Sequence, residues 1–466
     1  MATSRRKWIR RTAWWASGGL IAAVLLAVAG FDVVGILGRF LLKTDDIVIE
    51  RRPDPVYEKL VPRYVELCAL SQPSRKDKGR GNPFGHALMY LKGACKDETA
   101  PFPQLRPCRQ VASDLNDPEH GVGVSVGRWF RNVNWVAVPG YQLFFEGNLA
   151  PDQTLTQAHF DATVDDAIAR GVFDGVDLHN DWIRREGPAL RSFVANGSIG
   201  TDFALRYSRN VFCARLPVSE PVLVEIMAFL NDKNWEYATG NADYNWSLLA
   251  DNCVHTVRNA LAAANIWTPL SVLDVKIRHL LNLAVPANEF VNLAALITED
   301  PPADVAEIQD KGPQRDALHD FKWLPSRHGA LLKTMPVHQP NDVFNTDFRL
   351  FTVQSPFRMG HTMNAVRLLS DPRYTDLKTN LLAFRDTYDA ILAVLTNPED
   401  RFASVRGSPY RRVERLYRDY IGAQRGEVDG MLQQIAAIES AVGTVSSALS
   451  PSTDSCRTDA TPCRHD

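Results

Sequence analysis

Asp251-Asn252-Cys253-Val254-His255-Thr256-Val257-Arg258-Asn259-Ala260-Leu261 reads as the start of a helix with a cysteine in its first turn. Asn252 is a good cap, because its side-chain oxygen can accept from a backbone N–H that the helix leaves unpaired. Val254, Val257, Leu261 and Ala264 recur at helical spacing and give one apolar face. A thiol in that turn feels the positive end of the helix dipole, which favours thiolate over thiol. A thiolate becomes a catalyst only with a base and a group to orient the base.

Far upstream stands Asn82-Pro83-Phe84-Gly85-His86-Ala87-Leu88-Met89-Tyr90-Leu91-Lys92-Gly93. Pro and Gly mark an entry turn, and His86 to Leu91 reads as a short strand that opens on a histidine. A lone strand histidine is more often structural than catalytic. Between the two motifs, residues 95–120 look irregular. Gly121–Val126 and Val133–Val138 read as strands followed by Leu143–Glu146, and residues 155–172 have helical character. Asp202–Leu216 reads as a strand pair, and Ser219–Leu230 as a helix with Pro221 in its first turn. Upstream, a short helix is expected around Val56–Leu70. Downstream, a helix is expected over 271–283 and a polar, Pro-rich stretch at 300–313. Residues 325–357 read as loop, and amphipathic helices follow over 362–396, 408–424 and 426–448.

A Gly-His-Ala strand, further strands, a helix near residue 230 and then Asn252-Cys253 opening a helix resemble the circularly permuted papain-like hydrolases. That group includes the permuted NlpC-like peptidases and the lecithin:retinol acyltransferase-like enzymes. Within it the chain looks most like the Lnb-type N-terminal periplasmic domain family, over roughly residues 80–265. The resemblance implies that Cys253 is the nucleophile and His86 the general base, later the acid for the leaving group. The Cys253 N–H and a nearby donor would hold the oxyanion. A polar residue on a strand after the histidine strand would orient His86. Ser125, Asn132 and Asn134 are candidates, and Asn134, just before Trp135-Val136-Ala137-Val138, is the one chosen. Relatives often carry a second His or a Glu close after the first histidine; this chain does not.

The N-terminus carries Arg5, Arg6, Lys7, Arg10 and Arg11, then an apolar run from Thr12 to Leu42. Thr12–Phe31 alone is 20 residues, about the length that crosses a bilayer. The flanking charge puts the N-terminus in the cytoplasm and the bulk of the chain outside it. Ala27-Val28-Ala29 would suit a cleaved signal peptide and Ser4–Arg10 loosely resembles a twin-arginine signal. The apolar run continues past Gly30, which favours an uncleaved anchor. Export permits disulfides. Of seven cysteines, Cys95 with Cys108 and Cys456 with Cys463 are sequence-local, and Cys68 with Cys213 would follow by elimination, leaving Cys253 over. The alternative is that several are free and buried.

Competing motifs are weaker. Gly123-Val124-Ser125-Val126-Gly127 fits G-x-S-x-G, but a nucleophile elbow needs a helix directly after it, and β-leaning residues follow here. His255 is two residues from Cys253, and such side chains do not face each other on a helix. His328, His338 and His361 lack metal-ligand spacing. Tyr237, Tyr244 and Trp246 could wall a cleft, though packing is their more usual role. A net charge of −2 over 466 residues gives no basic field for nucleic acid.

The expectation is therefore an α+β chain. Residues 1–43 form a basic stub and transmembrane anchor, and 44–320 an exported permuted papain-like domain whose antiparallel sheet packs on the cysteine-bearing helix. Residues 321–450 form a loop-rich, then helical region, and 451–466 a disordered tail. The expected activity is thiol hydrolysis of an amide or ester in the bacterial periplasm, tethered to the inner membrane. Its substrate would be a peptide, a peptidoglycan cross-link or a lipid acyl chain, with no metal or cofactor. The rival expectation is a non-catalytic envelope scaffold.

Overall fold

Tyr64-Val-Glu-Leu-Cys-Ala-Leu70 is a strand and not the continuation of a helix. In the computed structural model of the chain, the helix expected around Val56–Leu70 is confined to α1, Pro55–Leu60, capped by Asp54, which accepts from the Val56 N–H at 2.8 Å. The strand that follows, β1 (Tyr64–Leu70), is buried at every position. A run buried on both faces shows no alternation, so its period cannot be read from sequence. The structure describes residues 41–42, 54–71, 85–247, 251–270, 285–303, 305–345, 350–351, 359–396 and 408–448.

β2 is His86–Lys92, β3 Gly121–Val126, β4 Trp135–Pro139, β5 Val211–Pro217 and β6 Leu331–Met335. They form one six-stranded sheet in the order β4-β3-β2-β1-β5-β6, antiparallel throughout. The chain is thus mixed α+β around an antiparallel sheet. Only one strand forms in the region read as a strand pair, 202–216. β6 lies past the expected boundary at residue 320, yet it completes this sheet. The stretch Leu143–Glu146 that follows β3 and β4 belongs to a helix, α2 (Tyr141–Phe145).

Registers set which residues share a face. Glu66, Cys68 and Leu70 lie opposite Tyr90, Leu88 and His86 on one side, and opposite Arg215, Cys213 and Val211 on the other. Cys68 and Cys213 are joined by a disulfide across the two strands, and Cys95 is joined to Cys108. Cys253 is free; Cys456 and Cys463 lie outside the described residues. The apolar face holds Val65, Leu67, Met89, Val124 and Phe212. Against it pack α3 (Glu220–Ala238), α4 (Cys253–Ala263) and α5 (Pro286–Ile297). Phe212 meets Phe290 of α5 with ring centroids 6.0 Å apart, and the Trp135 indole N–H donates to Leu230 O of α3 at 2.8 Å.

The other face carries buried charge. Glu58 of α1 accepts from Lys92 Nζ at 2.9 Å, Arg215 Nη1 at 3.1 Å and Tyr64 Oη at 3.1 Å. His120 Nε2 is 3.2 Å from the same carboxylate, and its Nδ1 is 2.8 Å from Tyr90 Oη. Glu66 pairs with Lys333 of β6 at 2.7 Å and with Arg215 at 3.5 Å. One cluster therefore ties α1 to strands β1, β2, β5 and β6.

The C-terminal part is helical, as expected, but with different joints. Met359–Leu369 and Pro372–Thr375 precede α6 (Leu377–Thr396), and α7 runs unbroken from Ser408 to Ala448. Gly422 and Gly426 do not divide it. Each glycine costs about 1 kcal/mol in a helix, which packing of α7 along α6 offsets. α7 also reaches the sheet domain, where Arg327 Nη2 meets Glu427 at 3.0 Å. The stretch at 300–313 contributes to two short helices, Val305–Asp310 and Gly312–Phe321. The helix expected over 271–283 and nearly all of the apolar N-terminal run lie outside the described residues. Leu41–Leu42, at the end of that run, pair with Leu350–Phe351. Among the described residues no helix is long and apolar enough to cross a membrane.

Burial would raise the Glu58 carboxyl, but Arg215, His120 and Lys92 outweigh it and hold the group well below the usual carboxylate range. A carboxylate depressed in the folded state contributes stability that is complete above its unfolded pKa, near ~4.3, and is lost as the pH falls toward the depressed value. Glu58→Gln should cost about 3–5 kcal/mol at pH 7, because it leaves buried cations uncompensated. Thermal melts should show the gap between wild type and Glu58→Gln narrowing below pH 4. A constant gap down to pH 2 would assign the loss to packing.

Candidate functional site

Gly85 places the histidine. Its φ is +72°, and a Cβ there would come 2.0 Å from the Leu70 carbonyl oxygen. Only glycine permits that approach, and the next residue, His86, then enters the sheet paired with Leu70. As the first residue of β2, His86 has its ring at the sheet's end.

The ring's Nε2 is 2.9 Å from Ser125 Oγ on β3. The glycines flanking that serine serve packing: a Cβ at Gly123 would sit 2.0 Å from the Phe144 ring, and one at Gly127 would sit 2.3 Å from Phe130. The G-x-S-x-G pattern thus admits two aromatic rings around a serine that faces His86. Ser125 Oγ donates to Asp202 Oδ1 at 2.6 Å, and Ser198 Oγ donates to Asp202 Oδ2 at 2.5 Å. Asp202 sits between the Val194–Ser198 turn of π-helix and the Leu205–Tyr207 turn that leads into β5.

This chain of bonds has a direction. A hydroxyl has one proton to donate. With Asp202 ionised, Ser125 gives its proton to the carboxylate, so its oxygen accepts from His86 Nε2–H. Neutral His86 then carries its proton on Nε2 and leaves Nδ1 as the basic atom. Ser125 is fully buried and its proton points away from His86, which removes it as a nucleophile.

Cys253 stands where the sequence places it, at the first turn of α4. Asn252 caps the helix, its Oδ1 accepting from Val254 N at 2.9 Å and His255 N at 3.3 Å. The backbone amides of Ala87, next to His86, of Val254 and of Cys253 itself act on the sulfur, as does the charge of Arg209. These amides and Arg209 favour thiolate. Burial is the larger effect and pushes the thiol up to about 11. The dipole advantage expected from the sequence is therefore outweighed by desolvation. Burial, reinforced by Arg209, lowers His86 to about 3. Burial raises Asp202 to about 6, against the two serine hydrogen bonds and Arg209. At neutral pH the resting state is thiol, neutral imidazole and carboxylate.

Asn134 is elsewhere. It is buried, and its Oδ1 accepts from Thr256 Oγ1 of α4 at 2.7 Å. It braces the cysteine helix, while Ser125 takes the place on His86 that Asn134 was expected to fill. Asn132 bonds to the Gly175 carbonyl and the Asp177 N–H. Asp202 and Arg209 carry no motif: each is a single polar residue in a mixed stretch far in sequence from His86 and Cys253. The aromatic residues before Cys253 are mainly packed: Tyr237 and Tyr244 have centroids 5.2 Å apart, and Tyr237 Oη donates to Asp251 at 3.1 Å. His328 is bonded to Tyr388, His338 to the Gln153 carbonyl and His361 to Asn292. The two clusters with metal-like spacing among the described residues each contain cysteines already joined in disulfides.

Desolvation of the thiol predicts a late pH profile. The rate of Cys253 alkylation by iodoacetamide should still be climbing at pH 10, and mass spectrometry can follow it. Levelling off by pH 8 would mean that a thiolate–imidazolium pair exists at rest. Comparisons of the whole chain with protein-family models, with curated proteins and with solved structures return no match.

Proposed function

We propose that the chain is a thiol acyl hydrolase or acyltransferase of the bacterial cell envelope, with Cys253 as nucleophile and His86 as base. One observation carries this reading. The single free cysteine among the described residues sits at a capped helix start near the backbone amide of Ala87, and the residue before it, His86, has its Nε2 held by Ser125, which is bonded in turn to Asp202. The order of a histidine strand before a cysteine helix supports a permuted papain-like domain.

The chemistry follows from the resting protonation. A carbonyl carbon bound next to Sγ is attacked as the thiol proton passes to His86 Nδ1, so no thiolate need accumulate beforehand. The tetrahedral oxyanion would be met by the Cys253 N–H at the start of α4, where the helix dipole adds to it; the next two N–H groups are taken by the Asn252 cap. Imidazolium then returns its proton to the departing amine or alkoxide, leaving an acyl thioester on Cys253. Water, or another hydroxyl or amine, attacks the thioester with His86 as base and regenerates the thiol. In this reading the N-terminal basic and apolar stretch anchors the protein in the inner membrane with the catalytic domain in the periplasm. Peptides, peptidoglycan and lipid acyl chains are the substrate classes within reach.

A second reading, a non-catalytic envelope scaffold, has the pushed-up thiol and the extended helix Ser408–Ala448 on its side.

Incubation with p-nitrophenyl butyrate should add a butyryl group to Cys253, visible by intact mass. Cys253→Ala should abolish the adduct, and His86→Ala should slow it at least 100-fold. Labelling that persists at other sites and is indifferent to both changes would favour the scaffold. Protonation of Asp202 lets it donate to Ser125, which then donates to His86 Nε2 and moves the imidazole proton to Nδ1, where it blocks the base. The acylation rate should therefore fall as the pH drops through about 6. Asp202→Asn should flatten that limb and lower the plateau by up to about 10⁴, the size of a wrong-tautomer defect in a serine protease triad. An acid limb unchanged by Asp202→Asn would mean that another group governs it.

A further inference from the structure

Arg209 lies just before β5, is 4% exposed, and has Nε and Nη1 buried without a hydrogen-bond partner. The other buried arginines differ. Arg206 is paired with Glu146, Arg215 with Glu58 and Glu66, and Arg327 with Glu427. Leu70 of β1 pairs with His86 on one side and with Val211 on the other, so Arg209, two residues before Val211, enters at the same end of the sheet as His86, and its charge acts on His86, Asp202 and the Cys253 thiol. Asp202 balances it only at a distance: each carboxylate oxygen is held by a serine hydroxyl, and no ion pair joins the two among the described residues. Buried donors are ordinarily paired, and planar guanidinium donors match a pair of acceptor oxygens.

We propose that Arg209 is the binding site for a singly charged oxyanion on the substrate, a carboxylate or a phosphodiester, held beside the carbonyl that Cys253 attacks. The proposal rests on the reading of Cys253 and His86 as the reacting pair. One guanidinium with a carboxylate nearby suits a single negative charge and disfavours a dianionic phosphate monoester. Substrates with an anion close to the scissile acyl group are selected over neutral ones. Arg209 is then a specificity residue, and its charge also favours the thiolate during attack.

The first test compares alkylation of Cys253 at pH 8 by iodoacetate and by iodoacetamide. The same pair of rates on the unfolded wild-type chain in urea gives the reference ratio, so the result does not hang on the folding of a variant. The folded chain should favour iodoacetate at least tenfold more than the unfolded chain. Arg209→Gln should remove that preference and Arg209→Lys retain part of it. Equal ratios for the folded and unfolded chains would overturn the proposal. The second test uses Cys253→Ala, which has no reactive thiol. Millimolar N-acetylglycine or dimethyl phosphate should raise its melting temperature, and N-acetylglycinamide should not. The larger shift tells carboxylate from phosphodiester, and Arg209→Gln in the same background should cancel it. No shift with either anion would overturn the proposal. Anion binding through Arg209 without any acyl adduct on wild-type Cys253 would leave the anion site standing and remove the thiol-hydrolase reading.

Discussion

Ser125 has a single hydroxyl proton, and Asp202 takes it. That one bond decides which imidazole nitrogen of His86 is protonated and so which one is left basic for the base role proposed for it. Three segments must meet for it to exist and hold His86, namely the start of β2, the end of β3 and the turns that hold Asp202, and the first turn of α4 is the fourth segment of the candidate site. Each is locked by a local constraint. Gly85 admits the close pass at Leu70, Gly123 and Gly127 admit the rings of Phe144 and Phe130, and Asn252 caps the helix. Asn134 adds the brace between β4 and α4. The site is thus assembled by backbone fit as much as by polar attraction.

The sheet divides two tasks between its faces. The apolar face seats α3, α4 and α5 and fixes the cysteine helix. The opposite face is held by charge, with Glu58 and Glu66 shared among Lys92, Arg215 and Lys333. Buried ion pairs are not a strong source of stability, since desolvation offsets much of the attraction. Their value here is in register: Glu66 must face Arg215, and a slip of one residue in β1 would turn Glu66 to the apolar layer and leave Arg215 behind. That same register sets His86 opposite Leu70.

What was legible in the sequence was local. The Asn252 cap, the histidine opening β2 and the run Gly121–Val126 all announce themselves within a few residues. Tyr64–Leu70 did not, because a strand covered on both faces lacks alternation and passes for helix. Leu331–Met335 is a short strand among turn residues, and only its pairing with β5 makes it one. Asp202 reaches Ser125 across 77 positions, and nothing in Thr201-Asp202-Phe203 marks the residue as a partner. Ser125 was visible as a candidate and Asn134 looked better, since an amide before an apolar strand is a common way to hold a histidine. The preference of α4 for Asn134 depends on Thr256, one turn into a helix far down the chain. The thiolate expected from the sequence gives way to a thiol for a different reason: the dipole is written in the sequence and desolvation is not.

Burial of Cys253 also bears on how the chain is made. With its thiol pushed up to about 11, it presents about a hundred-fold less thiolate at neutral pH than an ordinary thiol, and the thiolate is the species that attacks disulfides. A chain that must close Cys68–Cys213 across 145 positions and Cys95–Cys108 across 13 carries an odd sulfur that could scramble both. Docking of α4 buries that sulfur and lowers its thiolate fraction, and with it the rate at which it attacks neighbouring disulfides.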